Sequence, residues 1–194
     1  MSNAITIVVG NIKTGKTTLV KQMLKASPLP KKLVVDSDLN DTWENLETYD
    51  DPDGKLIKMD LIHPDMLQYW NNGHGITSSN NTRDVIRKVD KHVYNAVVVL
   101  EDARRYCKNK LTQEIESLVL NHKQHNLQLI LVFHLLSHPP KDLLELAHYV
   151  VLKKSNREFP KHLRDRYPEE FEEAFERVKN HKNPYYYETV YLKS

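Results

Sequence analysis

The sequence predicts a single α/β domain with a mainly parallel central sheet and helices on both faces. Strand-like and helix-like segments alternate along the chain. Several of the strand-like segments are continuous apolar runs, which is typical of parallel strands that are buried on both faces. A glycine-containing loop joins the first strand to the first helix. The 194 residues suffice for one domain with a sizeable core, and we expect its ligand at the carboxyl ends of the strands.

The predicted elements follow from apolar runs and from helical spacing of apolar residues. Pro28 and Pro30 interrupt the chain after the first helix, and Pro168 opens the last one. Thr82 is a candidate helix cap. The predicted strands are residues 4–9, 32–36, 96–100, 127–133, 149–152 and 185–192. The predicted helices are residues 18–25, 83–94, about 111–119, 139–147 and the segment from 168.

The chain as a whole, residues 1–194, is predicted to form one domain with two less regular parts. An irregular insertion is predicted over about residues 40–82, with a hairpin turn at 51–54 and an exposed loop at 73–75 and 78–82. A helical and strand extension begins at about residue 155.

The loop from Gly10 to Thr17 fits the phosphate-binding pattern G-x-x-x-x-G-K-[ST] without a mismatch. Glycine at two positions lets the backbone curl so that successive N–H groups point inward, and the following helix N-terminus favours negative charge. Lys16 is suited to neutralise the β- and γ-phosphates, and the Thr17 hydroxyl is suited to bind Mg²⁺. The predicted nucleotide-binding residues are Gly10, Asn11, Ile12, Lys13, Thr14, Gly15, Lys16, Thr17 and Thr18.

An acidic pair, Glu101 and Asp102, follows the apolar run at 96–100. An apolar strand that ends in an acid is the Walker B pattern, which directs a carboxylate towards the metal of a phosphate site. By register, Glu101 takes the metal-side role and Asp102 orients or deprotonates the attacking water. Hydrolysing NTPases of the additional-strand class usually have aspartate before glutamate, so the order here is reversed. The alternative is a solvated strand end with Asp102 as a helix cap.

These motifs together resemble the FtsK/HerA-type ATPases, and more narrowly the compact viral genome-packaging ATPases and the zonula-occludens-toxin-like phage proteins. The resemblance covers roughly residues 5–153 and includes Asp36 at the end of the second strand and a basic turn at 121–126. It implies a P-loop NTPase fold of the additional-strand class. It also implies that His134 senses the γ-phosphate, where the family often has Gln or Asn. The implied catalytic residues are Lys16, Glu101, Asp102 and His134.

The resemblance implies an ATP-hydrolysing, DNA-translocating motor that packages a viral genome, with ATP and Mg²⁺ as cofactors and DNA as partner. Such ATPases usually form homo-oligomeric rings in which an arginine of one subunit completes the next subunit's site. Arg104, Arg105 and Arg157 are candidates for that role, and Lys123 is a further candidate, in a turn where the resemblance implies an arginine in relatives.

Two other functions stay open. A nucleoside or nucleotide kinase would use Arg157, Arg164 and Arg166 as an arginine lid over the phosphates. A weakly hydrolysing P-loop switch or assembly factor would explain the reversed Glu101–Asp102 order.

Composition narrows the setting of the chain. A net charge of +2 gives no global basic field, although a local DNA-binding surface remains compatible with it. Cys107 is the single cysteine, so no disulfide forms within the chain and a reducing compartment is expected. No apolar run approaches the roughly 20 residues of a membrane span. We therefore expect a cytoplasmic location, in the host cytoplasm or the virion if the chain is viral.

Overall fold

The computed structural model describes residues 3–39, 41–46 and 57–192. The turn predicted at residues 51–54 lies outside these ranges. No helix in the described ranges is both long enough and apolar enough to cross a membrane.

Strands and helices alternate as the sequence pattern predicts. The strands are β1 (Ile5–Val9), β2 (Lys31–Val35), β3 (Asp60–Leu61), β4 (His74–Thr77), β5 (Ala96–Leu100), β6 (Leu127–Phe133), β7 (Tyr149–Lys153) and β8 (Tyr187–Tyr191). The helices are α1 (Lys16–Ala26), α2 (Thr82–His92), α3 (Gln113–Asn121), α4 (Lys141–Leu146), α5 (Lys161–Arg164) and α6 (Glu169–Asn180). Asn81 caps α2 by accepting a hydrogen bond from the Asp84 amide, so Thr82 is the first helical residue rather than the cap.

All eight strands form one sheet in the order β3-β4-β2-β5-β6-β1-β7-β8. Every neighbouring pair is parallel except β7 and β8, which are antiparallel. The strand β6 lies between the phosphate-loop strand β1 and the acid-ended strand β5. This inserted strand is the feature that the additional-strand class requires. The predicted fold class is confirmed, and the loop after β1, the acids after β5 and the residue after β6 share one edge of the sheet.

Helices cover both faces of the sheet because the side chains of each strand alternate between two apolar clusters. On β1, Ile5, Ile7 and Val9 pack into the larger cluster with α2, α3 and α6. Val8 points to the other face, where α1 and Trp43 cover it. The central strands are buried along their whole length, as the continuous apolar runs predict.

The exposed loop predicted at residues 73–75 and 78–82 is partly wrong. His74–Thr77 forms β4, which pairs with both β2 and β3 and buries Gly75, Ile76 and Thr77. The prediction failed because glycine has low strand propensity. Here glycine serves a packing contact instead, since the Ile62 side chain packs directly over the Gly75 backbone where a Cβ would lie.

The C-terminal part of the chain shares the main core. Helix α6 begins directly after Pro168, with acidic residues in its first turn and Arg177 and Lys179 in its last. The Phe171 side chain is fully buried, and its ring contacts the rings of Phe159 and Tyr167, each at a centroid distance of 5.5 Å. These rings belong to the same apolar cluster as the sheet residues. One cooperative domain stays our prediction.

Phe171→Ala tests that prediction. The truncation should cost about 3–5 kcal/mol of unfolding free energy because it leaves a cavity in the shared core. Both tryptophans, Trp43 and Trp70, lie far along the chain from α6. In one domain, urea transitions followed by tryptophan fluorescence and by circular dichroism should shift together to lower urea. A fluorescence midpoint that stays at the wild-type value would show that α6 unfolds separately.

Candidate active site

The phosphate loop connects β1 to α1 through backbone conformations that few residues adopt. Gly15, the N-cap of α1, has φ 76°, and Lys13 has φ 63°. The Thr14 hydroxyl donates to the Asn11 carbonyl at 2.8 Å, which closes the turn. The Asn11 amide donates to the Lys154 carbonyl at 2.9 Å, so β7 holds the loop from outside. Thr17 and Thr18 lie in the first turn of α1 and are partly buried, whereas Ile12 is exposed.

The Lys16 ammonium is buried inside this loop. Its Nζ donates to the carbonyl oxygens of Gly10 and Asn11, at 2.7 and 2.8 Å. The same Nζ also lies 3.4 Å from Nδ1 of His134. Burial lowers the pKa of Lys16, while the negative charges of Glu101 and Asp102 oppose that shift. The ammonium therefore contacts two carbonyl oxygens and a neutral ring, and two acids lie near it.

Glu101 lies directly after β5 and faces the Lys16 side of the site. Its Oε2 atom is buried and has no hydrogen-bond partner among the described residues. Burial, together with the nearby Asp36 charge, raises the pKa of Glu101 to about 7, while the Lys16 charge opposes the shift. Asp36, which follows β2, is itself buried. A second buried acid beside Glu101 makes this corner of the site electronegative.

Asp102 has a left-handed backbone conformation, with φ 44°, which aspartate tolerates better than most residues. Its Oδ2 accepts from Arg105 Nε at 2.9 Å, and its Oδ1 lies 3.7 Å from His134 Nε2. The guanidinium of Arg105 also donates to both carboxylate oxygens of Asp38, at 2.8 and 2.7 Å. One arginine thus joins the water-side acid to the loop after β2.

The ring of His134 connects the lysine to the acid. An ammonium can only donate, so Nδ1 is the acceptor and the ring proton is on Nε2, which faces Asp102. Burial lowers the pKa of His134, and the nearby Lys16 charge lowers it further. The ring is consequently neutral at pH 7 and lies between Lys16 and Asp102.

The proposed arginine fingers are placed differently from one another. Arg105 is committed to Asp38 and Asp102 of its own chain. Arg104 contacts His138 Nε2 at 2.9 Å, and Arg157 is exposed on the segment after β7. Lys123 is exposed before β6, at the edge of the sheet opposite to the phosphate loop.

A magnesium ion fits the residues present. The described residues contain no group of three or more His, Cys, Asp or Glu side chains arranged for a metal. Mg²⁺ at phosphate sites is held by one or two protein groups together with substrate phosphates and water. The unpartnered Glu101 Oε2 supplies a suitable buried oxygen, and Thr17 lies one residue after Lys16 in the first turn of α1.

The comparisons with known proteins are structural. No protein-family model matches the chain, and no curated protein matches it. The genome-packaging NTPase B204 of Sulfolobus turreted icosahedral virus 2, solved with sulfate, superposes with a TM-score of 0.72 at 19% identity, over 97% of this chain and 91% of that one. The same protein solved with ATP-gammaS gives a TM-score of 0.68 at 17% identity, over 98% and 93%.

The N-terminal domain of zonular occludens toxin from Neisseria meningitidis superposes with a TM-score of 0.52 at 12% identity, over 80% of this chain and 79% of that one. The chain has the P-loop NTPase fold. The resemblance predicted from the motifs is confirmed in the fold.

Sequence reasoning missed two residues on the other side of the phosphate loop. Lys153 ends β7 with only 4% of its surface exposed, and its Nζ donates to the Tyr185 carbonyl at 2.7 Å. A Cβ on Gly10 would lie 2.6 Å from Lys153 Cβ, so the strands meet closely here. Burial lowers the pKa of Lys153 to about 8, and the Lys16 charge contributes. A lysine that ends an otherwise apolar strand was the available signal.

Glu101→Gln tests the electrostatics of the P-loop NTPase site through pH. Between pH 4.5, the ordinary pKa, and about 7, folded Glu101 keeps a proton that the unfolded chain loses. The stability that this proton contributes is complete below pH 4.5 and is lost as pH rises to about 7. In urea titrations at several pH values, the unfolding free energy of the wild type minus that of Glu101→Gln should therefore decrease across this interval. The subtraction removes the contribution of titrating groups that the substitution leaves unchanged. A difference that is constant with pH would contradict the assignment.

Proposed function

We propose that the chain is an ATP-hydrolysing, DNA-translocating motor of the genome-packaging type. The convergence of Lys16, Glu101, Asp102 and His134 at one sheet edge carries the hydrolytic part of the proposal. The likeness to a genome-packaging NTPase that was solved with ATP-gammaS supports the choice of ATP and of packaging. ATP and Mg²⁺ are the proposed cofactors.

Each residue has a role in this proposal that follows from its surroundings. Lys16 exchanges the carbonyls of Gly10 and Asn11 for the β- and γ-phosphate oxygens, because a charged acceptor makes the stronger bond. Thr17 and Glu101 would hold Mg²⁺, which when bound neutralises charge on the transferred phosphoryl group. Glu101 must lose its proton to do so, and a nearby cation favours that loss.

Asp102 is the proposed acceptor for the proton of the attacking water. Arg105 donates to one of its carboxylate oxygens, and His134 Nε2 lies 3.7 Å from the other. His134 contacts the ammonium of Lys16 through Nδ1, so it can sense the γ-phosphate through that lysine. A change in the group that Lys16 binds therefore reaches the surroundings of Asp102 through the ring of His134.

DNA is the proposed partner. The net charge of the chain does not indicate DNA binding, but a local cleft lined by basic residues supports it. The segment after β5 and the starts of α2 and α3 line an open cleft of about 790 Å³. Arg83, Lys108 and Lys110 contribute to it beside Arg105. Backbone phosphates recruit such lysine and arginine clusters without reading sequence. The cleft borders Arg105, which pairs with the proposed catalytic acid.

A homo-oligomeric ring is the proposed assembly. The exposed Lys123 lies at the sheet edge opposite to Lys16. A head-to-tail arrangement brings opposite edges of neighbouring subunits together. Lys123 is therefore better placed to serve a neighbour's site than its own, whereas Arg105 is engaged within the chain.

The kinase alternative is weakened by the arginines that it needs. Arg164 donates from two nitrogens to Glu172, and Arg166 pairs with Glu145. Two of the three arginines of the predicted lid are thus engaged with acids of the C-terminal helical region and of α4. Phosphorylated product from a panel of nucleosides and nucleotides with ATP would restore the kinase proposal.

The weakly hydrolysing switch is the second candidate, and the pairing of Asp102 with Arg105 favours it. A carboxylate held by a guanidinium is less free to contact an attacking water. Single-turnover hydrolysis separates the two functions. The motor requires Asp102→Asn to be slower than wild type by about 10²–10⁴-fold, the usual contribution of a general base. Equal rates would favour the switch.

Lys16→Ala should lower kcat/KM for ATP by at least about 100-fold, because it removes the ammonium that would stabilise the negative charge of the β- and γ-phosphates. Its circular dichroism spectrum should stay that of the wild type. Lys91→Ala, which removes an exposed lysine at the end of α2, is the matched control and should keep full activity. Unchanged turnover in Lys16→Ala would mean that hydrolysis occurs elsewhere.

Alanine at both Lys108 and Lys110 should weaken DNA binding and reduce DNA-stimulated phosphate release. Each lost phosphate contact lowers the slope of log affinity against log salt by about 1. Fluorescence anisotropy of labelled duplex at several salt concentrations measures this slope. Lys91→Ala serves again as the control. A double variant with the wild-type slope would place DNA on another surface.

A further inference from the structure

Tyr185 and Lys153 lie beside the phosphate loop on the side away from the acids. The order of residues along this sheet edge follows the order of strands: Glu101 after β5, His134 after β6, the phosphate loop after β1 and Lys153 at the end of β7. The γ-phosphate end of a nucleotide belongs with the acids and His134. The nucleoside therefore extends across the loop towards β7 and β8.

Tyr185 contacts the phosphate loop and still presents its ring to solvent. A Cβ on Gly15 would lie 3.0 Å from Tyr185 Cδ1 and 3.6 Å from Lys153 Nζ. The residue is nevertheless 62% exposed. Large apolar surface left open beside a concave polar loop is suited to a planar ligand.

Short contacts fix the backbone that presents this ring. The Tyr185 amide donates to Asn183 Oδ1 at 2.9 Å, and the Tyr185 carbonyl accepts from Lys153 Nζ at 2.7 Å. The Lys153 ammonium also lies 5.3 Å from the ring centroid of Tyr187. A buried lysine at the end of β7 thus determines where Tyr185 stands.

The adjoining turn is held in the same way. The rings of His181 and Tyr186 stack at a centroid distance of 3.9 Å, and Lys154 Nζ donates to the His181 carbonyl at 3.0 Å. Because the turn is held by Lys153 and by Lys154, the residue after β7, it needs little further ordering when a ligand binds. Such preorganisation favours affinity.

We propose that Tyr185 is the stacking platform for the base of the bound nucleoside triphosphate and that Lys153 is the positioning residue that holds it. This rests on the nucleotide site proposed above and adds how its nucleoside end is recognised. Ring stacking accepts every base because each base has a π-face. The site consequently selects its ligand by the phosphates and favours the larger purine rings, with GTP accepted alongside ATP.

Isothermal titration with ADP and with inorganic tripolyphosphate, both with Mg²⁺, separates the base from the phosphates. Tyr185→Ala should weaken ADP binding by about 5- to 150-fold, the usual range for one stacked base. Tripolyphosphate should bind as it does to the wild type. Tyr185→Phe keeps the ring and should keep ADP affinity. Tyr191→Ala, an exposed tyrosine at the far end of β8, is the matched control.

The role of Lys153 is read from the ratio of ADP to tripolyphosphate affinity. Lys153→Met should lower this ratio, since Tyr185 loses its anchor. Adding Lys153→Met to Tyr185→Ala should not lower the ratio further, because both act on the same ring. An additional loss in the double variant would overturn the positioning role.

The outcomes distinguish the two proposals. If tripolyphosphate binds but Tyr185→Ala binds ADP as tightly as the wild type, the stacking proposal is overturned and the phosphate site stands. Equal losses for ADP and tripolyphosphate in Tyr185→Ala would also overturn stacking, because the defect would lie in the loop. If the wild type binds no tripolyphosphate, the nucleotide site itself fails.

Discussion

The burial of one ammonium group inside the glycine loop is the constraint on which the other groups of this edge depend. Lys16 lies among the backbone carbonyls of its own loop and close to the two acids that follow β5. Without this charge, Glu101 and Asp36 would be two acids close together in a poorly solvated corner. The lowered pKa of the lysine and the raised pKa of Glu101 are two sides of the same burial.

Local patterns accounted for most of the fold. Continuous apolar runs predicted the central strands, and the helical spacing of apolar residues predicted the helices. Burial of one or two faces of an element gives its apolar residues a regular spacing in the sequence. The place of β6 between β1 and β5 is not recorded in this way, since strand order depends on long-range packing. Only the resemblance to a known class implied it. Strand β4 was missed because its glycine serves a packing contact rather than a turn.

The candidate site was predictable where residues sit next to a recognisable element and unpredictable where they meet across the chain. Lys16 begins the helix after the phosphate loop, and Glu101 and Asp102 directly follow β5, so motif spacing predicted them. The pairing of Arg105 with Asp38 joins residues 67 positions apart, and that of Lys153 with Tyr185 joins residues 32 positions apart. No local spacing encodes such contacts. Arg105 was therefore predicted only as a candidate arginine finger, and its partners within the chain follow from the fold.

The close approach of Gly10 to Lys153 has an evolutionary consequence. The first residue of the phosphate loop lacks a side chain not only so that the backbone can turn, but also because the neighbouring strand occupies that space. Position 10 can therefore gain even a methyl group only if position 153 becomes smaller or β7 shifts outward. The two positions should therefore covary among relatives, with a larger residue at position 10 accompanied by a change at position 153 or by a displaced β7.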